Sequence, residues 1–296
     1  MNDIIEQIAV ERRLIREDTI QPFDVYYRSA TGEMLPYCVS GEQVTQDILD
    51  KIHECKIDYL YINRKDRNEF RQYVEMNLQS ILADQAIATP QRAKAAYQSI
   101  VHVAEQLFKQ PTGEVFERYR TTVLATLDFV VRDNFALQHL IGMTTLDFSI
   151  YNHSINVGIF SIGLAKELIG DKKDYNLREV VTGFFLHDIG KCRVPRDILY
   201  KRGPLSRAEW KCVQGHVDEG LKILDDHGLL LPETEIVVSQ HHERHDGSGY
   251  PRNLKTREIH VFARICSIAD MFDGLTSYRP FRKEHSSFEA LRIMKN

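Results

Sequence analysis

The chain has 296 residues, of which 43% are hydrophobic and 27% charged, with a formal net charge of −4. That length suits roughly two domains with a sizeable core, and the composition excludes a disordered or fibrous chain. The slightly acidic balance argues against a dedicated duplex-nucleic-acid binder, and no apolar run reaches the roughly 18 residues of a membrane-spanning helix. The opening MNDIIEQIAVERRLIRED is too charged for a secretory signal. Five cysteines (Cys38, Cys55, Cys192, Cys212 and Cys266) lie far apart with no CxxC pair. They read as reduced thiols, so a cytoplasmic protein is expected.

The N-terminal segment reads as a short helix, followed by a small α+β module. Phe23 to Ser29 and Met34 to Val39 are rich in β-formers around an Ala30-Thr31-Gly32-Glu33 turn, which predicts a hairpin. Gln43 to Cys55 sets Val44, Ile48, Ile52 and Cys55 on one helical face, and Asp58 to Asn63 reads as a returning strand. Residues 1–64 contain no cluster of catalytic type and read as a regulatory, docking or dimerisation module. A helical connecting region over 65–140 follows, with Phe70, Val74, Leu78 and Ile81 in helical register. Pro90 marks a helix start and Pro111-Thr112-Gly113 a break, after which Val115 to Val131 resumes. The apolar stripes of 68–132 suit either intramolecular core or a homodimer. Beyond Gly142 every segment long enough to read is helical, joined by Gly- and Pro-marked loops, so 141–296 is an all-α domain and the whole chain is mainly α.

Seven of the 12 histidines fall between His153 and His245. Most scattered histidines are surface or hydrogen-bonded core residues, and His227 and His245 read that way. Others sit beside acids or each other inside apolar helices. In FFLHDIGK the pair His187-Asp188 follows Phe184, Phe185 and Leu186, and ionisable groups there are costly unless paired or metal-bound. VVSQHHER ends an apolar helix with His241 and His242, because DGSGYP (Asp246 to Pro251) cannot continue it. Neighbours on a helix point about 100° apart, so one ion would struggle to take both members of a pair, whereas two ions could. Imidazole with carboxylate suits iron, manganese, nickel or zinc, and a bridging Asp is a common way to hold two ions. A dinuclear hydrolytic centre is the sharper reading, and buried hydrogen-bonded side chains the plainer one.

HDIGK at 187–191, His216 in GHVDEG, HHERHDGSGYP at 241–251 and IADMFDGLTSYRPFR at 268–282 together resemble the HD-GYP group of HD-domain phosphohydrolases over about residues 144–290. The resemblance implies two divalent ions, iron first and manganese, nickel or zinc as alternatives. His153, His187, Asp188 and Asp270 would hold one, and His216, His241 and His242 the other, with Asp188 bridging. It implies hydrolysis of cyclic di-GMP to linear pGpG, with a second cut to GMP left open. Asp188 and Lys191 would serve catalysis, and Lys191, Tyr250 and Arg279 would contact substrate. Lys191 lies four residues after His187 and would share its face if the helix persists. The plainer readings are a solvated cap for Lys191 and a surface ion pair for Arg279. Gly247 and Gly249 would let the backbone turn closely beside the ligand. A GGDEF-type or other signalling protein is the implied partner.

The chain departs from the family at several positions. Ser149 stands where members with a third metal carry glutamate, so two ions are expected. Asp273-Gly274-Leu275 replaces Asp-Ala-Leu, and Arg279-Pro280-Phe281 replaces Arg-Pro-Tyr. Relatives often continue past the position of Asn296 with another helix. Competing functions are a slow cyclic-dinucleotide receptor, a phosphohydrolase of another cyclic dinucleotide or nucleotide, and a purely structural helical protein.

Overall fold

The computed structural model describes residues 6–54, 57–145, 149–169, 175–278 and 284–295, in two compact units, Met1–His102 and Val103–Asn296. Arg279 and Phe281 lie outside the described residues, as do Cys55 and the other members of 279–283. The chain is mainly α, with one small antiparallel sheet near its N-terminus, as the sequence pattern predicts. Among the described residues no helix is long and apolar enough to cross a membrane, and the four described cysteines are free thiols.

The sheet has the order β1-β4-β2-β3, formed by β1 (Gln7–Glu11), β2 (Val25–Arg28), β3 (Met34–Cys38) and β4 (Tyr59–Asn63). The hairpin of β2 and β3 and the return strand β4 follow the sequence reading. The N-terminal segment does not: residues read as a short helix form β1 instead. Its Ile8 and Val10 stand opposite Ile62 and Leu60 of β4, and this cross-strand pairing of branched side chains outweighs the helical appearance of the charged flanks. Between β3 and β4 runs α1 (Gln46–Glu54), and after β4 come α2 (Arg67–Met76) and α3 (Leu78–Ala83). The single apolar stripe from Phe70 to Ile81 is thus divided at Asn77, whose amide side chain donates to the Tyr73 carbonyl at 2.9 Å and so competes with the helical ladder. Phe23 packs edge-on against Phe70 and Tyr73 to close the core of this unit. α4 (Thr89–Lys109) follows.

The larger unit continues with α5 (Gly113–Arg132), α6 (Ala136–Ile141), α7 (Ile150–Leu168) and α8 (Leu177–Leu186). Next come α9 (Arg196–Leu199), α10 (Arg207–Gln214), α11 (His216–Asp226), α12 (Pro232–Gln240), α13 (Val261–Thr276) and α14 (Ser287–Lys295). Buried Phe116, Tyr119, Val123, Leu127 and Val130 give α5 one apolar face. By contrast α7 and α8 bury residues on all sides, as expected of the centre of a bundle. α8 packs against α5, α7 and α12, and α13 against α7 and α12. The Tyr119 hydroxyl donates to the Phe185 carbonyl at 3.2 Å, so a backbone acceptor left over at the buried end of α8 is satisfied. Ser149 caps α7 by accepting from the Asn152 amide at 3.1 Å, a role that explains a small hydroxyl residue at that position.

Candidate metal centre

Three helix ends and two helix faces converge on one carboxylate. α8 stops at Leu186, leaving His187 as its cap, and the chain then tightens into a 3₁₀ turn over Ile189–Arg193. The helix therefore does not persist to Lys191. Gly190 shows why the chain turns there: a Cβ on it would sit 1.9 Å from the His216 carbonyl oxygen and 2.5 Å from the Gly220 amide nitrogen. Only glycine allows this turn to lie directly on α11, and that contact brings Asp188 and His216 together. His153 projects from α7, His241 and His242 from the end of α12, and Asp270 from α13.

Asp188 is wholly buried. Its Oδ1 lies 3.2 Å from His216 Nε2 and 3.7 Å from His241 Nε2. Its Oδ2 lies 3.4 Å from His153 Nε2 and 3.5 Å from His187 Nε2, and it pairs closely with Lys191 Nζ. Four imidazoles thus present the same nitrogen to one carboxylate. Their other nitrogens explain the alignment. His187, His216 and His241 each donate Nδ1–H to the carbonyl three residues earlier: Phe184 at 2.9 Å, Val213 at 2.6 Å and Val238 at 2.8 Å. A carbonyl can only accept, so in the neutral ring the proton sits on Nδ1 and Nε2 keeps its lone pair. His153 Nδ1 is held by Asp273 Oδ2 at 2.7 Å, and Asn156 donates to Asp273 Oδ1 at 2.8 Å.

Donor atoms of Asp188, His216, His241 and His242 lie within 4.8 Å of one another, as do those of His153, His187 and Asp188. Asp270 borders both groups, 3.0 Å from His153 Nε2 and 3.7 Å from His242 Nδ1. Asp188 Oδ1, His153 Nε2 and His187 Nε2 are buried without a hydrogen bond. Buried polar atoms are rarely left so, and a positive ion among these lone pairs would satisfy all three. The donor set of neutral imidazoles and ionised carboxylates fits divalent iron, manganese, nickel or zinc.

The electrostatics of both carboxylates and of three of the histidines agree with that donor set. Burial alone would raise Asp188, but the Lys191 ammonium and the imidazoles facing it hold its carboxyl well below the usual carboxylate range. Asp270 is likewise lowered against the effect of burial, through His153 and His242. Burial lowers His216, His241 and His242, keeping them neutral. His153 differs: burial opposes its charge, but Asp188, Asp270 and Asp273 together raise it well above the ordinary value.

Tyr250 closes the site from the side, its ring 4.7 Å from that of His242. Burial, with the charges of Asp188 and Asp270, raises its phenol and keeps it a neutral donor. The loop that carries it is pinned by Glu243, which accepts from the Arg252 amide at 2.6 Å and the Leu254 amide at 2.8 Å. A Cβ on Gly249 would lie 2.4 Å from the Arg244 amide nitrogen and 2.5 Å from the His242 carbonyl. The close approach that requires glycine at 249 is therefore to the chain's own backbone. His227 stacks on Phe116 with ring centroids 4.4 Å apart and donates to the Ile223 carbonyl, while His245 is exposed. Neither joins the cluster. Asp273, Asn156 and Glu243 support the site without having been singled out from the sequence; a second acid on the face of α13, one turn from Asp270, was the available signal for Asp273.

The sequence profile of the HD domain family matches residues 137–296. The chain is 29% identical over 264 residues to a cyclic di-GMP phosphodiesterase of Pseudomonas aeruginosa, covering 84% of this chain and 63% of that protein. It is 30% identical over 282 residues to a cyclic di-GMP phosphodiesterase of Thermotoga maritima, covering 89% and 72%. A 3′3′-cGAMP-specific phosphodiesterase of Vibrio cholerae is 37% identical over 148 residues, 49% of this chain and 33% of that one. The chain thus spans between one third and about three quarters of these relatives. An HDG"Y"P protein of Bdellovibrio bacteriovorus has the same fold, with a TM-score of 0.64 at 21% identity over 98% of this chain and 93% of that one.

Proposed function

The chain belongs to the HD domain family, in its HD-GYP group, and on that premise we propose that it is a metal-dependent phosphodiesterase hydrolysing cyclic di-GMP to pGpG. The supporting observation is the buried Asp188 carboxylate ringed by four imidazole Nε2 atoms. His153, His187, Asp188 and Asp270 would hold one divalent ion, and His216, His241 and His242, with Asp188 as the common carboxylate, would hold the other. Iron is the first choice, and manganese, nickel or zinc the alternatives. Such ions, when bound, supply a water of lowered pKa and polarise a phosphoryl oxygen. The protein's own groups do the rest. Asp273 keeps the His153 ring in place, and the three backbone carbonyls fix the tautomers of His187, His216 and His241. Lys191, on the wall of the cavity above the cluster, offers an ammonium to a phosphate oxygen. Tyr250 offers a hydroxyl donor, and Arg279 serves as a further phosphate contact. Whether pGpG is cut again to GMP depends on how the opened product fits the same groups.

The described residues of 1–64 contribute none of the clustered ligating side chains, which supports a regulatory or docking role for that module, toward a GGDEF-type signalling partner or a second copy of the chain, in the cytoplasm. A second reading is favoured by the similarity to a 3′3′-cGAMP-specific enzyme: the preferred substrate is then a mixed cyclic dinucleotide. The two are separated by anaerobic reloading with Fe(II) or Mn(II) and parallel product analysis on cyclic di-GMP and 3′3′-cGAMP. Faster release of pGpG supports the first reading; turnover of 3′3′-cGAMP alone overturns it in favour of the second.

A further inference from the structure

Trp210 is the single tryptophan of the chain, and it stands where nothing in its own helix requires it. It lies on α10, a helix with no buried residue, and is 47% exposed. Its ring stands edge-on to Tyr250, centroids 6.2 Å apart, and Tyr250 in turn lies against His242. Three rings thus lead from the surface to the metal-ligand cluster.

Two cavities meet at this indole. One, of about 730 Å³, has Trp210 on one wall, the loop of Arg202, Gly203, Pro204 and Leu205 on another, and His153 and Lys191 toward the cluster. The other, of about 490 Å³, runs from Trp210 past Tyr250 to His241, His242 and Asp270. Each is of the size that takes a small-molecule ligand, and each opens on ligating side chains. The wall facing Trp210 is held in place. Ser206 and Glu209 form a reciprocal capping box at the start of α10, and both Glu209 oxygens accept from Lys201 Nζ, at 2.8 and 2.7 Å. The loop and the indole are therefore set relative to each other before any ligand arrives.

We propose that Trp210 is the platform on which one purine base of a cyclic dinucleotide stacks in the larger cavity, while the second base occupies the smaller one. The inference rests on the phosphodiesterase reading and deepens it. A cyclic dinucleotide carries two bases on opposite sides of one phosphodiester ring. With its phosphates at the cluster the two bases can enter different lobes, and Trp210 lines both cavities. A mononucleotide would fill only one. An indole face accepts any purine, so Trp210 contributes affinity and orientation, and the choice between guanine and adenine falls to polar groups around it.

Because Trp210 is the only indole, tryptophan emission reports on the surroundings of this one side chain. The metal-loaded full chain is titrated with a non-hydrolysable phosphorothioate of cyclic di-GMP, following tryptophan emission and heat in parallel. Saturable quenching with the calorimetric Kd is expected. Trp210→Ala is expected to raise that Kd about 5- to 150-fold, and Trp210→Phe to recover most of the affinity, with bound metal unchanged in both. Calorimetric binding with no change in emission, or an unaltered Kd in Trp210→Ala, overturns the platform and leaves the phosphodiesterase reading standing. Absence of both calorimetric binding and turnover of the parent cyclic dinucleotides overturns the reading beneath it.

Discussion

Asp188 holds a full negative charge in the protein interior, offset by Lys191 and by the imidazoles around it. Removing it leaves the two histidine groups without their shared oxygen donor. Asp188→Ala is therefore expected to lose bound metal and all turnover, as read by metal analysis and product formation; wild-type turnover would contradict a shared ligand. Lys191→Ala should keep its metal, because Lys191 touches the ligand rather than acting as one, and should slow turnover by about 10²- to 10³-fold. Metal loss in that variant would instead assign the lysine a structural role. Asp273→Asn keeps the shape but weakens the acceptor for His153 Nδ1, and metal affinity or activity should fall about 10- to 100-fold. The clustering histidines and aspartates were legible in the sequence because adjacent acids and histidines inside apolar helices stand out by cost. Asp273 was not, since its partners His153 and Asn156 lie more than a hundred positions away and only the packing of α13 on α7 joins them.

The elements bring these residues together by ending where they do. α8 stops at His187 and α12 at His241, and each freed imidazole turns back to a carbonyl of its own helix end. The stop in α12 was readable from DGSGYP. The stop in α8 was not, because HDIGK continues a helical pattern, and the reason for the tighter turn is the approach of α11 to Gly190. Gly190→Ala forces a Cβ onto the His216 carbonyl and is expected to destabilise the fold by at least about 1–3 kcal/mol, seen as a lowered denaturant midpoint. It should also reduce bound metal; an unchanged midpoint would show that the turn and α11 separate freely. The β1 strand was misread for a related reason. The segment was read as a short helix, whereas β4, about fifty residues further on, supplies the strand partner that decides.

Across the whole molecule, the metal-free protein has opposed proton linkages. Burial holds His216, His241 and His242 below the ordinary histidine value of 6.5. Below that pH the unfolded chain takes up protons there that the folded chain refuses, so stability falls as pH drops. His153 is raised despite burial by Asp188, Asp270 and Asp273; above that pH the folded chain keeps a proton the unfolded chain has released, so stability falls as pH rises. Protein stripped of metal is expected to be most stable near about pH 6.5, and a urea midpoint climbing steadily to about pH 8 would contradict this. Fold class was legible at this scale because apolar periodicity is a property of the chain itself. How two cavities come to be lined by Trp210 was not, because that depends on how α10 and the loop before it pack beside the residues of α12 and α13. The most direct measurement counts metal and product together: wild-type protein and Asp188→Ala, each reloaded anaerobically with Fe(II) or Mn(II), incubated with cyclic di-GMP and assayed for bound metal and pGpG. About two ions per chain with pGpG in the wild type, and neither in the variant, is the expected result. A wild type that makes pGpG with no bound metal, or a variant that matches it, would contradict a centre built around Asp188.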